Sequence, residues 1–202
     1  MINIRNISKS FSSNLVLNDI SLKISSGEIV YIKGVNGSGK STLLKIIAGI
    51  LEPDTGDIQL DDGVYIGALI ENPSFIENET ALFNMKFLFN LRNKFDMKTV
   101  ENLFNYFEID IKEKKYMKDF SIGMRQKVGI IQAIMEDQNL VLFDEPTRGL
   151  DEKSTEVFVN IVHEMKKMDK TIVICAHDGV SLIDFDRRYW LDDGKIKEIN
   201  GV

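Results

Sequence analysis

The stretch Gly34 to Thr42 reads GVNGSGKST, follows the apolar run Ile29, Val30, Tyr31, Ile32 and opens a helical pattern. A glycine-rich loop between a strand and a helix, closed by lysine and a hydroxyl residue, is the phosphate-binding arrangement, and it commits the chain to an α/β core. Gly34, Gly37 and Gly39 allow the backbone turns that aim successive N–H groups at crowded negative oxygens. Lys40 adds a full positive charge that reaches the β- and γ-phosphates, and the helix N-terminus adds roughly half a unit more. Ser41 is the expected Mg²⁺ ligand, while Val35, Asn36, Ser38 and Thr42 complete the expected nucleotide-binding set.

At 202 residues and 44% hydrophobic content the chain suits one sizeable domain, with no room for a second full catalytic domain. No apolar run approaches the roughly eighteen residues a bilayer crossing needs. The opening MINIRNISKS alternates polar and apolar residues where a signal peptide is continuously apolar, so a cytoplasmic chain is expected. Its one cysteine, Cys175, lies in the apolar run Thr171 to Ala176 and is expected to pack. A formal net charge of −6 and a pI near 5.1 argue against nucleic acid as a partner, which calls for a basic stripe. Phosphate affinity is expected to be local to one loop.

Along the chain, Ile2, Ile4 and Ile7, then Ile20, Leu22 and Ile24, alternate as antiparallel strands ahead of a turn at Ser25-Ser26-Gly27. Phe11, between those runs, is placed either to stack on a purine face or to serve strand pairing. After the loop, Leu43, Ile46, Ile47 and Ile50 predict one buried helical stripe ended by Pro53. Asp61-Asp62-Gly63 reads as a turn between short strands around 58–60 and 64–66. From Thr80 to Phe107 the pattern becomes helical and rich in Phe, with Val100, Leu103, Phe104 and Phe107 on one face. Its further aromatics Phe83, Phe87, Phe89 and Phe95 are placed to pack or to face a partner. Ser121 is the expected N-cap of a third helix carrying Met124, Val128, Ile131 and Met135. Leu140 to Phe143 predicts a buried parallel strand that delivers Asp144 and Glu145 at its C-terminal edge, where open α/β sheets place their ligands. A helix after Asp151, a strand Thr171 to Cys175 running into His177, and a hairpin turning at Asp193-Gly194 complete the chain. His163 is expected on a helix surface.

With the phosphate loop, FSIGMRQK at Phe120 to Lys127, LVLFDEP at Leu140 to Pro146, GLD at Gly149 to Asp151 and His177 after a strand, the chain resembles the ATP-binding subunit of ABC transporters over nearly its full length. The resemblance implies a phosphate-loop NTPase core with a mainly parallel sheet, an antiparallel β-subdomain, and a helical subdomain of about 72–137 inserted in a single domain. The family signature is usually LSGGQ, and FSIGM keeps only its serine and second glycine, as Ser121 and Gly123. Where that family usually has a glutamine loop, IGALIENPSF puts Glu71, which looks like the branch tied to lantibiotic immunity and bacitracin-type resistance.

The resemblance also implies roles. Asp144, with Ser41 and Glu71, would hold Mg²⁺; Glu145 would orient or deprotonate the attacking water, with His177 and Glu71 beside it. Ser121 and Gly123 would complete the ATP site of a second copy, and Asp151 would lie on the dimer seam. A separate transmembrane permease would dock near the helical insert, leaving the subunit peripheral on the inner membrane face. Two other readings stay open: an ATPase of a soluble, non-transport assembly, and a slow ATP-dependent dimer clamp.

Overall fold

The computed structural model describes residues 1–199. Strand β1 (Ile2–Phe11) pairs antiparallel with β2 (Asn14–Ile24) on one side and with β4 (Thr55–Leu60) on the other, giving a three-stranded antiparallel sheet. The second sheet has six strands in the order β5, β6, β7, β3, β8, β9, comprising β5 (Ile66–Leu69), β6 (Leu140–Asp144), β7 (Thr171–Cys175), β3 (Ile29–Lys33), β8 (Arg187–Asp192) and β9 (Lys195–Glu198). All its pairings are parallel except the closing hairpin of β8 with β9. This is the α/β architecture expected from the phosphate loop.

Strands β3, β6 and β7 are apolar without alternation because both of their faces are covered. Tyr31, Phe143 and Ile174 enter one core, with Phe158 edge-on to Phe143 at 5.1 Å, whereas Ile32, Leu142 and Val173 enter the other with Leu43 and Ile47 of helix α1 (Lys40–Ile47). Each such side chain contributes roughly 1.5–3 kcal/mol on full burial. Helices α2 (Ala81–Phe89), α3 (Met97–Tyr106) and α4 (Ile122–Ile134) follow β5, and α5 (Glu152–Lys167) joins β6 to β7. The N-caps are readable: Thr80, Asp96, Ser121 and Asp151 each accept a backbone N–H through the side chain.

Three expectations need correction. The strand expected around 64–66 runs over Ile66–Leu69 instead, and the turn at 61–63 carries the chain from β4, which joins β1, across to β5 in the other sheet. Ile50 is 68% exposed, since α1 ends at Ile47 and Gly49, in the left-handed region (φ 70), turns the chain away before Pro53 acts. His163 is half-buried on α5, and its Nε2 is buried without a hydrogen-bond partner among the described residues.

Candidate functional site

The strand order places the chain segments leaving β3, β6, β7 and β5 along one edge, where the phosphate loop, Asp144-Glu145, His177 and Glu71 follow their strands. A cleft of about 440 Å³ opens there, lined by Asn36, Gly37, Gly39, Lys40, Ser41, Thr42, Glu71, Asp144 and Glu145 together with Val16, Asn72, Gln126 and Arg148. Gly34, Val35, Ser38, Phe11 and His177 stand outside that lining.

Lys40 is almost wholly buried, and its ammonium donates to the carbonyls of Gly34 (2.7 Å) and Val35 (3.2 Å), 3.8 Å from Glu145 Oε1. The Ser41 hydroxyl donates to Asp144 Oδ2 at 2.5 Å. Glu145 adopts φ 47; its N–H donates to the Cys175 carbonyl at 2.7 Å, and its Oε2 accepts the His177 N–H at 3.2 Å. Two polar atoms of this cradle, Ser38 Oγ and Glu145 Oε1, are buried without a hydrogen-bond partner among the described residues, which is the mark of a site shaped for a ligand that brings its own donors and acceptors. Beneath it Cys175 is fully buried, its thiol pushed well above the ordinary range by burial and by the Asp144 charge, so it packs.

Three expected site residues are engaged elsewhere. Glu71 lines the cleft, yet its carboxylate pairs with Lys45 of α1 at 2.5 Å, and only its backbone N–H reaches Asp144, at 3.4 Å. An ammonium along the helix from Ser41 captures the carboxylate, so the direct catalytic and metal-ligand geometry expected of Glu71 is not formed. Phe11 pairs with Asn14 across the turn between β1 and β2, half exposed with the Lys9 ammonium 5.8 Å from its ring, and it is Val16 that lines the cleft. The His177 ring is exposed, with Nδ1 3.6 Å from Asp178; only its backbone touches Glu145.

Ser121 and Gly123 lie at the start of α4. Ser121 is exposed and caps the helix, accepting from Met124 N–H at 3.2 Å. Asp151 caps α5 and accepts the Ser154 N–H at 2.7 Å; those bonds and Lys127, 3.7 Å away, hold its carboxyl below the usual range. Neither Ser121, Gly123 nor Asp151 lines the cleft of its own chain. Sequence reasoning missed Lys45, Gln126 and Arg148. Gln126 lies off the apolar stripe of α4, so periodicity gave it no mark. A larger, more apolar groove of about 720 Å³ runs between α3 and α5, but none of its lining residues belongs to the phosphate loop, so the chemistry belongs to the smaller cleft.

A profile of the family described as ABC transporter matches residues 17–148. The lantibiotic transport ATP-binding protein SrtF of Streptococcus pyogenes is 31% identical over 88% of this chain and 80% of its own length. The ABC transporter ATP-binding protein NatA of Bacillus subtilis (strain 168) is 36% identical over 79% and 70%. Among solved structures, the dimeric bacterial ABC transporter cassette MJ0796 superposes with a TM-score of 0.87 at 26% identity over 100% of both chains. A post-hydrolysis dimer of the same cassette bound to ADP and Pi gives 0.86, also at 26% identity and full coverage.

Proposed function

This chain belongs to the ABC transporter family of ATP-binding proteins and is an ATPase, and on that premise we propose that it powers an exporter of the resistance or immunity type as one of two copies that sandwich ATP. The observation that carries the catalytic part is the cluster of Lys40, Ser41, Asp144 and Glu145 in the cleft. Lys40 sits among backbone carbonyls and is poised to exchange them for phosphate oxygens, which are stronger acceptors. Glu145, after the sheet edge with one carboxylate oxygen unpartnered, orients or deprotonates the attacking water. Ser41 and Asp144, already hydroxyl to carboxylate, offer a hard cation two oxygens. Among the described residues no three His, Cys, Asp or Glu side chains form a metal-binding group, so Mg²⁺ here would complete its shell with phosphate and water, and it would supply charge neutralisation on the phosphates.

The dimer is supported by the dimeric form of the similar cassette and by the exposure of Ser121, which does not line its own chain's cleft. Ser121, Gly123 and Asp151 then complete the partner's site. An export role is supported by the likeness to SrtF and by Glu71 in IGALIENPSF. No helix among the described residues is long and apolar enough to cross a membrane, so membrane passage falls to a separate permease. Phe83, Phe87 and Leu91, exposed at 43%, 47% and 70% on successive turns at α2 within the 72–137 helical subdomain, offer it a docking stripe at the inner membrane face. ATP turnover tests the catalytic core: Glu145→Gln should lose about 10²- to 10⁴-fold in rate while still binding ATP, and parent-like turnover would remove Glu145 from the reaction.

A further inference from the structure

Glu145 holds a left-handed backbone conformation, φ 47, that side chains with a Cβ seldom adopt, and Pro146 after it has no N–H with which to anchor the segment. Besides the local Arg148 N–H, which donates to its carbonyl at 3.1 Å, three hydrogen bonds keep Glu145 in place. Two come from the end of β7: its N–H donates to the Cys175 carbonyl at 2.7 Å, and its carboxylate accepts the His177 N–H at 3.2 Å. The third comes from outside the sheet. Gln126 of α4, 6% exposed, donates its amide to the Glu145 carbonyl at 3.1 Å and to the Pro146 carbonyl at 3.0 Å.

The rest of α4's opening turns lie on the same segment. Gly123 packs so closely on Gly149 that a Cβ there would stand 2.5 Å from the Gly149 carbonyl oxygen, and the Lys127 ammonium is 3.7 Å from Asp151. The helix therefore grips residues 145–151 near both ends and close to the middle, and Gln126 is its contact nearest the carboxylate.

We propose that Gln126 is a positioning residue for ATP hydrolysis: its amide fixes the Glu145–Pro146 backbone so that the Glu145 carboxylate keeps its aim into the cleft. The proposal rests on the reading of Glu145 as the group that orients water. Gln126 lines the cleft too, but its amide nitrogen is engaged with the two carbonyls, which gives it a backbone to hold rather than a phosphate. Removing the donor leaves the Pro146 carbonyl short of a partner and the Glu145 carbonyl with only the Arg148 N–H, at 3.1 Å, and frees the strained residue to relax.

The test uses the full chain with Gln126→Met, which keeps the length and loses the donor, and Gln126→Asn, which keeps the amide one methylene short. Turnover number, KM for Mg-ATP and ATP affinity are measured for each, in the parent and in a Glu145→Gln background. Gln126→Met should lower the turnover number about ten- to a hundred-fold with KM and affinity changed less than about two-fold. In the Glu145→Gln background the same change should lower single-turnover hydrolysis by less than about two-fold, because the carboxylate it positions is gone. Gln126→Asn should fall between Met and parent, and it carries the test if Gln126→Met does not fold. Parent-like turnover in these variants, equal losses in both backgrounds, or a loss confined to KM would overturn the proposal. If Glu145→Gln itself keeps parent turnover, the reading of Glu145 has failed; if Glu145→Gln is inactive and the Gln126 variants turn over like the parent, only the role of Gln126 has failed.

Discussion

Lys40, almost wholly buried, and Glu145, its side chain 30% exposed, face each other across 3.8 Å, and neither is closely paired with the other. The lysine borrows carbonyls and the glutamate keeps an oxygen unpartnered, so both are ready for groups the protein does not supply. Glu71 is the opposite case, a carboxylate whose demand is met by Lys45. That pair is exposed enough, with the Glu71 side chain 58% accessible, for water to screen most of its energy, which leaves at most about 1 kcal/mol, or roughly five-fold in an equilibrium. Glu71→Gln should therefore shift the Mg²⁺ concentration for half-maximal turnover by less than about five-fold. A larger shift in a Mg²⁺ titration would put the carboxylate on the cation. Sequence brought the phosphate loop, Asp144 and Glu145 to the cleft but did not show where Glu71 points, since that depends on a lysine in another element that no motif includes.

Helix α5 and strand β8 meet at Asp186, which accepts the Ile29 N–H at 2.7 Å and pairs with Lys166, tying the edge of the parallel sheet to the last turn of the helix. Burial pushes its carboxyl upward, but the Ile29 N–H and the Lys166 ammonium outweigh that and hold it below the ordinary range. A lowered folded pKa gives stability that is complete above the unfolded value of roughly 4 and is lost as pH falls through the folded one. With the side chain 37% exposed, Asp186→Asn should cost about 1 kcal/mol at neutral pH, and the cost should shrink in acid. Urea unfolding at several pH values checks this, and a pH-independent difference would contradict it. At this scale most of the fold was legible. Continuous apolar runs marked β3, β6 and β7, and Ser121, as its cap, marked the start of α4. The destination of β4 was not, because residues 58–60 carry the same pattern whether they pair with their neighbour in sequence or with β1 across the fold.

At the scale of the whole molecule, α4 carries Ser121 and Gly123 at one end and reaches Glu145 through Gln126 from the next turn. In a sandwich of two copies one helix would touch both ATP sites, its tip serving the partner and its body serving its own chain. Sequence could name Ser121 and Gly123 only through family resemblance, since in a single chain they lie off the cleft and look like an ordinary cap and a close-packed glycine. The central claim is thus that the ATP site is complete only between two copies. Size-exclusion chromatography with light scattering on the Glu145→Gln protein tests it most directly. A sandwich of two copies gives the 23.0 kDa protomer without nucleotide and twice that mass with saturating Mg-ATP, and a species that stays at the protomer mass while ATP is demonstrably bound would contradict it.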